Sequence, residues 1–270
     1  MHIVVCVKPV PNPEIAPSVF RLDEEAKKIA LLPGVSLVIN PFDEQAVEAA
    51  LCIRENSEDS DTVSITVLTM GENSSKKVIK HALALGVDKG VTLENSAFEN
   101  SDSYAIAHAL AAAIQKLDPV DLVLAGRQAV DTDAGIVGLG IAEILKLPAI
   151  TLAKDIKMSG NEINVDRAVG DGTETMTTKL PAVVTVAHEF GAVRHPNLRE
   201  TMRANKKPIE TWGPEDIGVE IGSMGQVGLR RVVERIYQPV RKVDCEWLTG
   251  DDPTAVAKIL TSKLAEEKFI

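Results

Sequence analysis

Three short runs rich in Val and Ile, HIVVCV at 2–7, TVSITVL at 62–68 and DLVLA at 121–125, constrain this chain more than any other feature. Apolar runs of that length suit strands buried on both faces. Between them, DEQAVEAALCIRE at 43–55, SSKKVIKHALAL at 74–85 and DSYAIAHALAAAIQK at 102–116 carry Ala, Leu, Ile and Val at three-to-four spacing, each behind an Asp or Ser able to cap a helix. Gly86 follows the second stripe where a left-handed C-terminal residue belongs, and VDKGVTL at 87–93 reads as a further short strand. The alternation predicts βαβ units with right-handed crossovers, hence a doubly wound α/β domain on a mostly parallel sheet.

After residue 148 the pattern changes to strand-like pieces at 150–158, 161–169, 173–179 and 182–187, with turn signals SGN at 159–161 and GDG at 170–172. These predict hairpins added to the sheet edge as antiparallel extensions. GPEDIGVEIGSMGQVGLRR, from 213, carries five glycines and little periodicity; RRVVERIYQPV and a capped helix at 253–267 follow. A long irregular stretch is unusual inside one compact domain, so the expectation is an α/β domain over 1–213 and an extended arm over 214–270 that lies on a partner subunit.

With 270 residues, a net charge of −10 and 3% aromatics, the composition is that of a soluble globular protein and a poor nucleic-acid binder. The N-terminus lacks a basic region and cleavage site, and no run approaches the ~18 apolar residues of a membrane span, so an intracellular, cytoplasmic location is expected. Cys6, Cys52 and Cys245 lie far apart, which gives no disulfide framework and no metal site.

In a doubly wound sheet the ligand crevice lies beyond the carboxyl ends of the strands. Four segments border it: KPVPNP at 8–13, INPFD at 39–43, TMGENSS at 69–75 and GRQAVDTDAGIVG at 126–138. The last joins a strand to a helix through Gly126, Gly135 and Gly138, carries Arg127, and offers backbone N–H groups to a phosphate. The plainer reading is a strand-to-helix turn, since it matches neither GxGxxG nor GxxxxGK[ST]. Asp131 and Asp133 are natural helix caps, but beside a phosphate they repel unless they turn away or bind ribose and backbone amides. The five histidines are scattered, with no GxSxG elbow and no paired carboxylates, so the residues favour binding over catalysis. The basic stretch RHPNLRETMRANKKP at 194–208 reads either as a solvated face or as a docking segment anchored by Leu198.

Taken together, VCVKPVP at 5–11, INPFDEQAVEAAL at 39–51, VLTMG at 67–71, ALALGVDKGV at 82–91, DLVLAGRQAVDTDAG at 121–135, VDRAVGDGTE at 165–174, KLPAVVTV at 179–186 and LRETMRANKKPIE at 198–210 resemble the β subunit of electron transfer flavoproteins, including the FixA-type proteins. The resemblance implies an adenine-nucleotide-binding, Rossmann-like domain paired with an α subunit. The α subunit's FAD then carries electrons from acyl-CoA-type or other flavin dehydrogenases to a quinone reductase or similar acceptor. It implies a redox-silent AMP held by Cys6, Asn40, Pro41, Phe42, Asp43, Met70, Gly126, Arg127, Gln128, Ala129, Val130, Asp131, Thr132, Asp133, Ala134, Gly135, Ile136 and Val137. Gly135, Ile136 and Val137 stand where such loops often carry Asn, Gln and Thr, which leaves a phosphate to backbone amides and Arg127. The 194–208 segment becomes the recognition loop for dehydrogenases, with Arg194, Leu198, Arg199, Met202 and Arg203 as docking residues. Electron-bifurcating relatives, which share the GRQA loop and a long arm, place a second FAD in this pocket and use NAD(H); this chain has Pro9 where they tend to have Gln. Ala168 stands where mammalian-type members carry an acidic residue near the α subunit. A stand-alone nucleotide-sensing module shares the α/β core but needs neither basic loop nor arm.

Overall fold

The computed structural model describes residues 1–72, 75–239 and 245–270. Positions 73–74 of the TMGENSS segment and 240–244 of the arm lie outside the described residues. In chain order the elements are β1 (His2–Cys6), β2 (Pro9–Pro11), β3 (Phe20–Asp23), β4 (Lys28–Leu31), β5 (Leu37–Ile39), α1 (Pro41–Glu55), β6 (Ser64–Met70), α2 (Ser75–Leu85), β7 (Lys89–Leu93), α3 (Ser103–Lys116), β8 (Leu122–Gly126), α4 (Val137–Leu145), β9 (Ala149–Ser159), β10 (Glu162–Val169), β11 (Gly172–Lys179), β12 (Ala182–Val186), α5 (Leu198–Lys206), β13 (Glu210–Trp212) and α6 (Pro253–Glu266).

Nine strands form one sheet in the order β11-β10-β9-β12-β8-β1-β6-β7-β13. From β9 to β13 every neighbouring pair is parallel, whereas β10 pairs antiparallel with both β9 and β11. The fold is the doubly wound α/β arrangement that the alternation of runs and stripes predicts. Val5, Ile65, Val67 and Leu124 bury against α1 and α2 on one face, and Val4, Leu68, Val123 and Val183 against α3 and α4 on the other. Gly86 takes φ +125° after α2, and the Val87 N–H closes onto the Ala82 carbonyl, the hydrogen bond of a Schellman stop.

Two local expectations are corrected. The piece at 182–187 is not an edge hairpin: β12, all five residues buried, lies between β9 and β8 and runs parallel to both. Its largely apolar AVVTV run, buried at every position, is the mark of a strand covered on both faces. α1 begins two residues before Asp43, behind Asn40 and with Pro41 in the first turn, so Asp43 is not its cap. Asp102 does cap α3, accepting from the N–H groups of Tyr104 and Ala105.

The chain divides into two compact units, Met1–Arg21 with Ile29–Glu234, and Leu22–Lys28 with Arg235–Ile270. In the first, the glycine-rich stretch after 213 packs back beside the start of α3: Met224 is buried, the Gly225 N–H donates to Ser101 Oγ, and the N–H groups of Arg230 and Arg231 donate to Asp102. In the second, Asp252 caps α6 through the Ala255 N–H, and Lys263 pairs with Glu246 at 2.6 Å. Among the described residues no helix is long and apolar enough to cross a membrane, and no three His, Cys, Asp or Glu side chains gather as a metal site.

Candidate functional site

β1 lies between β8 and β6, so the chain winds outward from it in both directions and opens a crevice beyond Cys6, Met70 and Gly126. Two buried polar residues build the wall. The Asn40 N–H donates to the Lys8 carbonyl, its Nδ2 donates to the Gln128 carbonyl at 2.8 Å, and its Oδ1 accepts from the Val130 N–H at 3.1 Å. Asp43 accepts from the Lys8 N–H at 2.7 Å and from the Gly126 N–H at 3.0 Å. A helix N-terminus and two strand ends are thereby fixed to one another. Burial pushes the Asp43 carboxyl up to about 7 against the pull of those N–H bonds, and burial together with that carboxyl pushes the Cys6 thiol up to about 12. Cys6 is thus a thiol rather than a nucleophile.

In the loop after β8, Asp133 takes φ +50° and its N–H closes onto the Ala129 carbonyl. Asp131 pairs with Lys8 at 2.7 Å, and Asp133 accepts from Gln128 Nε2 at 2.9 Å. Neither caps a helix, contrary to the simplest reading of their positions: α4 starts at Val137 behind Ile136, with no side-chain cap. The Arg127 guanidinium lies 5.1 Å from the Phe42 ring. Cys6, Asn40, Asp43, Met70, Gly126, Arg127, Gln128, Ala129, Thr132, Ala134, Gly135 and Val137 line the crevice. Pro41, Phe42, Val130, Asp131, Asp133 and Ile136 are not among its lining residues.

The 194–208 segment contains α5, started by a reciprocal capping box between Asn197 and Glu200. Leu198 is 77% exposed and Met202 58%, four residues apart on one face, and they share a shallow concavity with Arg199, Arg203 and Lys206. Arg194 stands apart from this face, with its guanidinium on Glu48 and Glu55 of α1.

The chain matches the electron transfer flavoprotein domain family over residues 33–217. The chain belongs to the electron transfer flavoprotein family. Its relatives include the CarD subunit of the caffeyl-CoA reductase-Etf complex of Acetobacterium woodii, 35% identical over the whole of both chains. The electron transfer flavoprotein subunit beta of Clostridium acetobutylicum is 33% identical, again over the whole of both. Protein FixA of Azorhizobium caulinodans is 32% identical over 98% of this chain and 94% of that protein. This is an electron transfer flavoprotein chain of the β-subunit type.

Seven further residues line the crevice of this flavoprotein subunit: Val7, Lys8, Ser103, Ile106, Leu110, Ala125 and Gly138. Ser103, Ile106 and Leu110 form an i, i+3, i+7 stripe on α3, and this spacing was the available signal. The Gly138 position packs against β12 and β8, where a Cβ would stand 2.9 Å from Thr185 Cγ2.

Proposed function

We propose that this electron transfer flavoprotein chain holds AMP structurally in the crevice beyond β1, β6 and β8. In this reading it pairs with an α subunit whose FAD carries the electrons, and it takes them from acyl-CoA-type or other flavin dehydrogenases docked on α5, for a quinone reductase or similar acceptor. The observation that carries the reading is the meeting of an uncapped helix N-terminus with an apolar crevice free of unpaired carboxylates. Met70, Ile106, Leu110 and Ala125 offer an adenine ring apolar walls, while the start of α4 and Arg127 offer a phosphate N–H groups and a cation. The carboxylates that would repel it are engaged: Asp43 with two backbone N–H groups, Asp131 with Lys8, Asp133 with Gln128.

An AMP of this kind supplies binding energy and no electrons. Its effect is to favour the folded state in proportion to its occupancy. Of the arm over 214–270, the part beyond Arg231 serves the contact with the α subunit: Val232, Val233, Tyr237 and Trp247 are exposed there, the last at 86%. The whole assembly acts in the cytoplasm.

The identity with CarD, a subunit of a caffeyl-CoA reductase-Etf complex, favours a second reading, in which the same crevice holds an FAD of its own beside an NAD(H) site. Copurification with the α subunit, heat release and mass spectrometry separate the two. One FAD and one AMP per heterodimer support the structural AMP. Two FAD and no AMP support the second reading, and no nucleotide in this subunit rejects both.

A further inference from the structure

α5 has nine residues, and among them only Ala204 is buried. A helix of that length does not hold in water by itself, and its two largest apolar side chains, Leu198 and Met202, point into solvent. Burial of the small Ala204 side chain in the core is therefore only part of what keeps it in place. Cations fix its ends, Arg194 before the first turn and Lys80 at the last, where Lys207 Nζ also donates to the Val87 carbonyl at 2.9 Å.

Before its first turn, Arg194 reaches α1. Its Nε donates to Glu48 Oε2 at 2.9 Å, its Nη2 to Glu48 Oε1 at 2.8 Å and to Glu55 Oε2 at 3.0 Å, and its Nη1 to Glu55 Oε1 at 2.5 Å; its backbone N–H adds a bond to Glu48 at 3.2 Å. Glu48 is nearly buried, and the guanidinium holds both carboxyls below their ordinary range. At the last turn, Lys80 of α2 donates to the carbonyls of Ala204, Asn205 and Lys207, where a cation also meets the negative end of the helix dipole.

We propose that Arg194 is a positioning residue: together with Lys80 it clamps α5 so that Leu198 and Met202 meet a dehydrogenase as a face already in place. The proposal rests on the docking role of α5 given above and goes beyond it. Arg194 acts from inside the chain, through Glu48 and Glu55. A face held in advance spares the ordering cost that a mobile segment pays on association.

The test uses the heterodimer with its α subunit, hydrogen exchange of the amides in 198–206, and the rate of flavin reduction by the dehydrogenase at several ionic strengths. Arg194→Gln raises exchange in α5 and slows reduction, each by about tenfold, as the loss of a partly buried carboxylate pair implies. Arg194→Lys, with the charge but not the two-pronged donor geometry, raises exchange as well. Glu55→Gln and Glu48→Gln make the surface more positive, yet they slow reduction too. If Arg194 only steered an acidic partner, those two variants would accelerate it, and that result overturns the proposal. Unchanged α5 exchange in Arg194→Gln overturns it equally. Glu55 is exposed, so its variant keeps the sign test intact where Glu48→Gln unfolds. Leu198→Ala slows reduction without altering exchange. Unaltered reduction in that variant rejects the docking role of α5, whereas the exchange data judge the clamp separately.

Discussion

Replacing Asp43 by Asn tests whether the crevice is held by a carboxylate. The side chain accepts two backbone N–H bonds, from Lys8 and Gly126, and an amide has one oxygen to offer. The other N–H then faces a donor and stays unpaired in a buried position, at about 1–3 kcal/mol. Charge acts in the opposite direction. The Asp43 carboxyl titrates at about 7 in the fold against 3.8 ordinarily, so its folded pKa is raised. Its titration therefore contributes stability that is complete below about pH 4 and fades as pH climbs to about 7, at roughly 1.4 kcal/mol per pH unit between them. The Asn variant has no such titration. The destabilisation by Asp43→Asn is expected to grow toward acid and, between pH 5 and pH 8, to shrink by about 2–3 kcal/mol as relief of charge burial offsets the lost acceptor. Urea unfolding followed by far-UV circular dichroism at pH 5, 6, 7 and 8 measures the difference. A difference that is constant across this range refutes the raised pKa. A variant as stable as the native chain at pH 5 refutes the clamp.

Asp102→Ala removes the α3 cap and the acceptor for the N–H groups of Arg230 and Arg231, at about 1–2 kcal/mol in urea unfolding. Amide exchange at 225–231 should rise with it, and an unchanged exchange pattern would show that the contact does not tether this stretch. Gly126→Ala places a Cβ 2.7 Å from the Phe42 carbonyl carbon, so calorimetry should show about 1–3 kcal/mol of destabilisation. AMP should raise the melting temperature of the heterodimer, with ~4 kcal/mol of stabilisation at a thousandfold excess over Kd; a melting point blind to AMP argues against the structural nucleotide. Leu198→Ala should leave folding and α-subunit pairing intact while weakening electron acceptance, read by stopped-flow flavin reduction.

The parallel core is legible because a strand covered on both faces can be mostly apolar, and HIVVCV, TVSITVL and DLVLA are rich in Val, Ile and Leu. By the same rule AVVTV at 182–186 is a central strand; its nearness in sequence to the hairpins of 149–179 hides this, since neighbours in sequence need not be neighbours in a sheet. The crevice segments are legible from topology, because they follow strand ends. The roles inside them are not. Asn40 and Asp43 bind backbone groups up to 90 positions away, and no spacing records such a contact. Arg194 shares a basic stretch with Arg199 and Arg203, and charge alone does not reveal that its partners lie on α1.

The position of β12 also sets an order on synthesis. Every residue that lines the crevice lies within the first 138, but Gly138 packs on Thr185 of β12, so the lining is made before the strand that backs it. β9 emerges next but has no neighbour on the side facing β8 until β12 appears some thirty residues later, since β12 is the strand that joins β9 to β8. Until then β9, β10 and β11 can pair only with one another. The nascent chain thus leaves the edge of β8 without its partner strand during that interval.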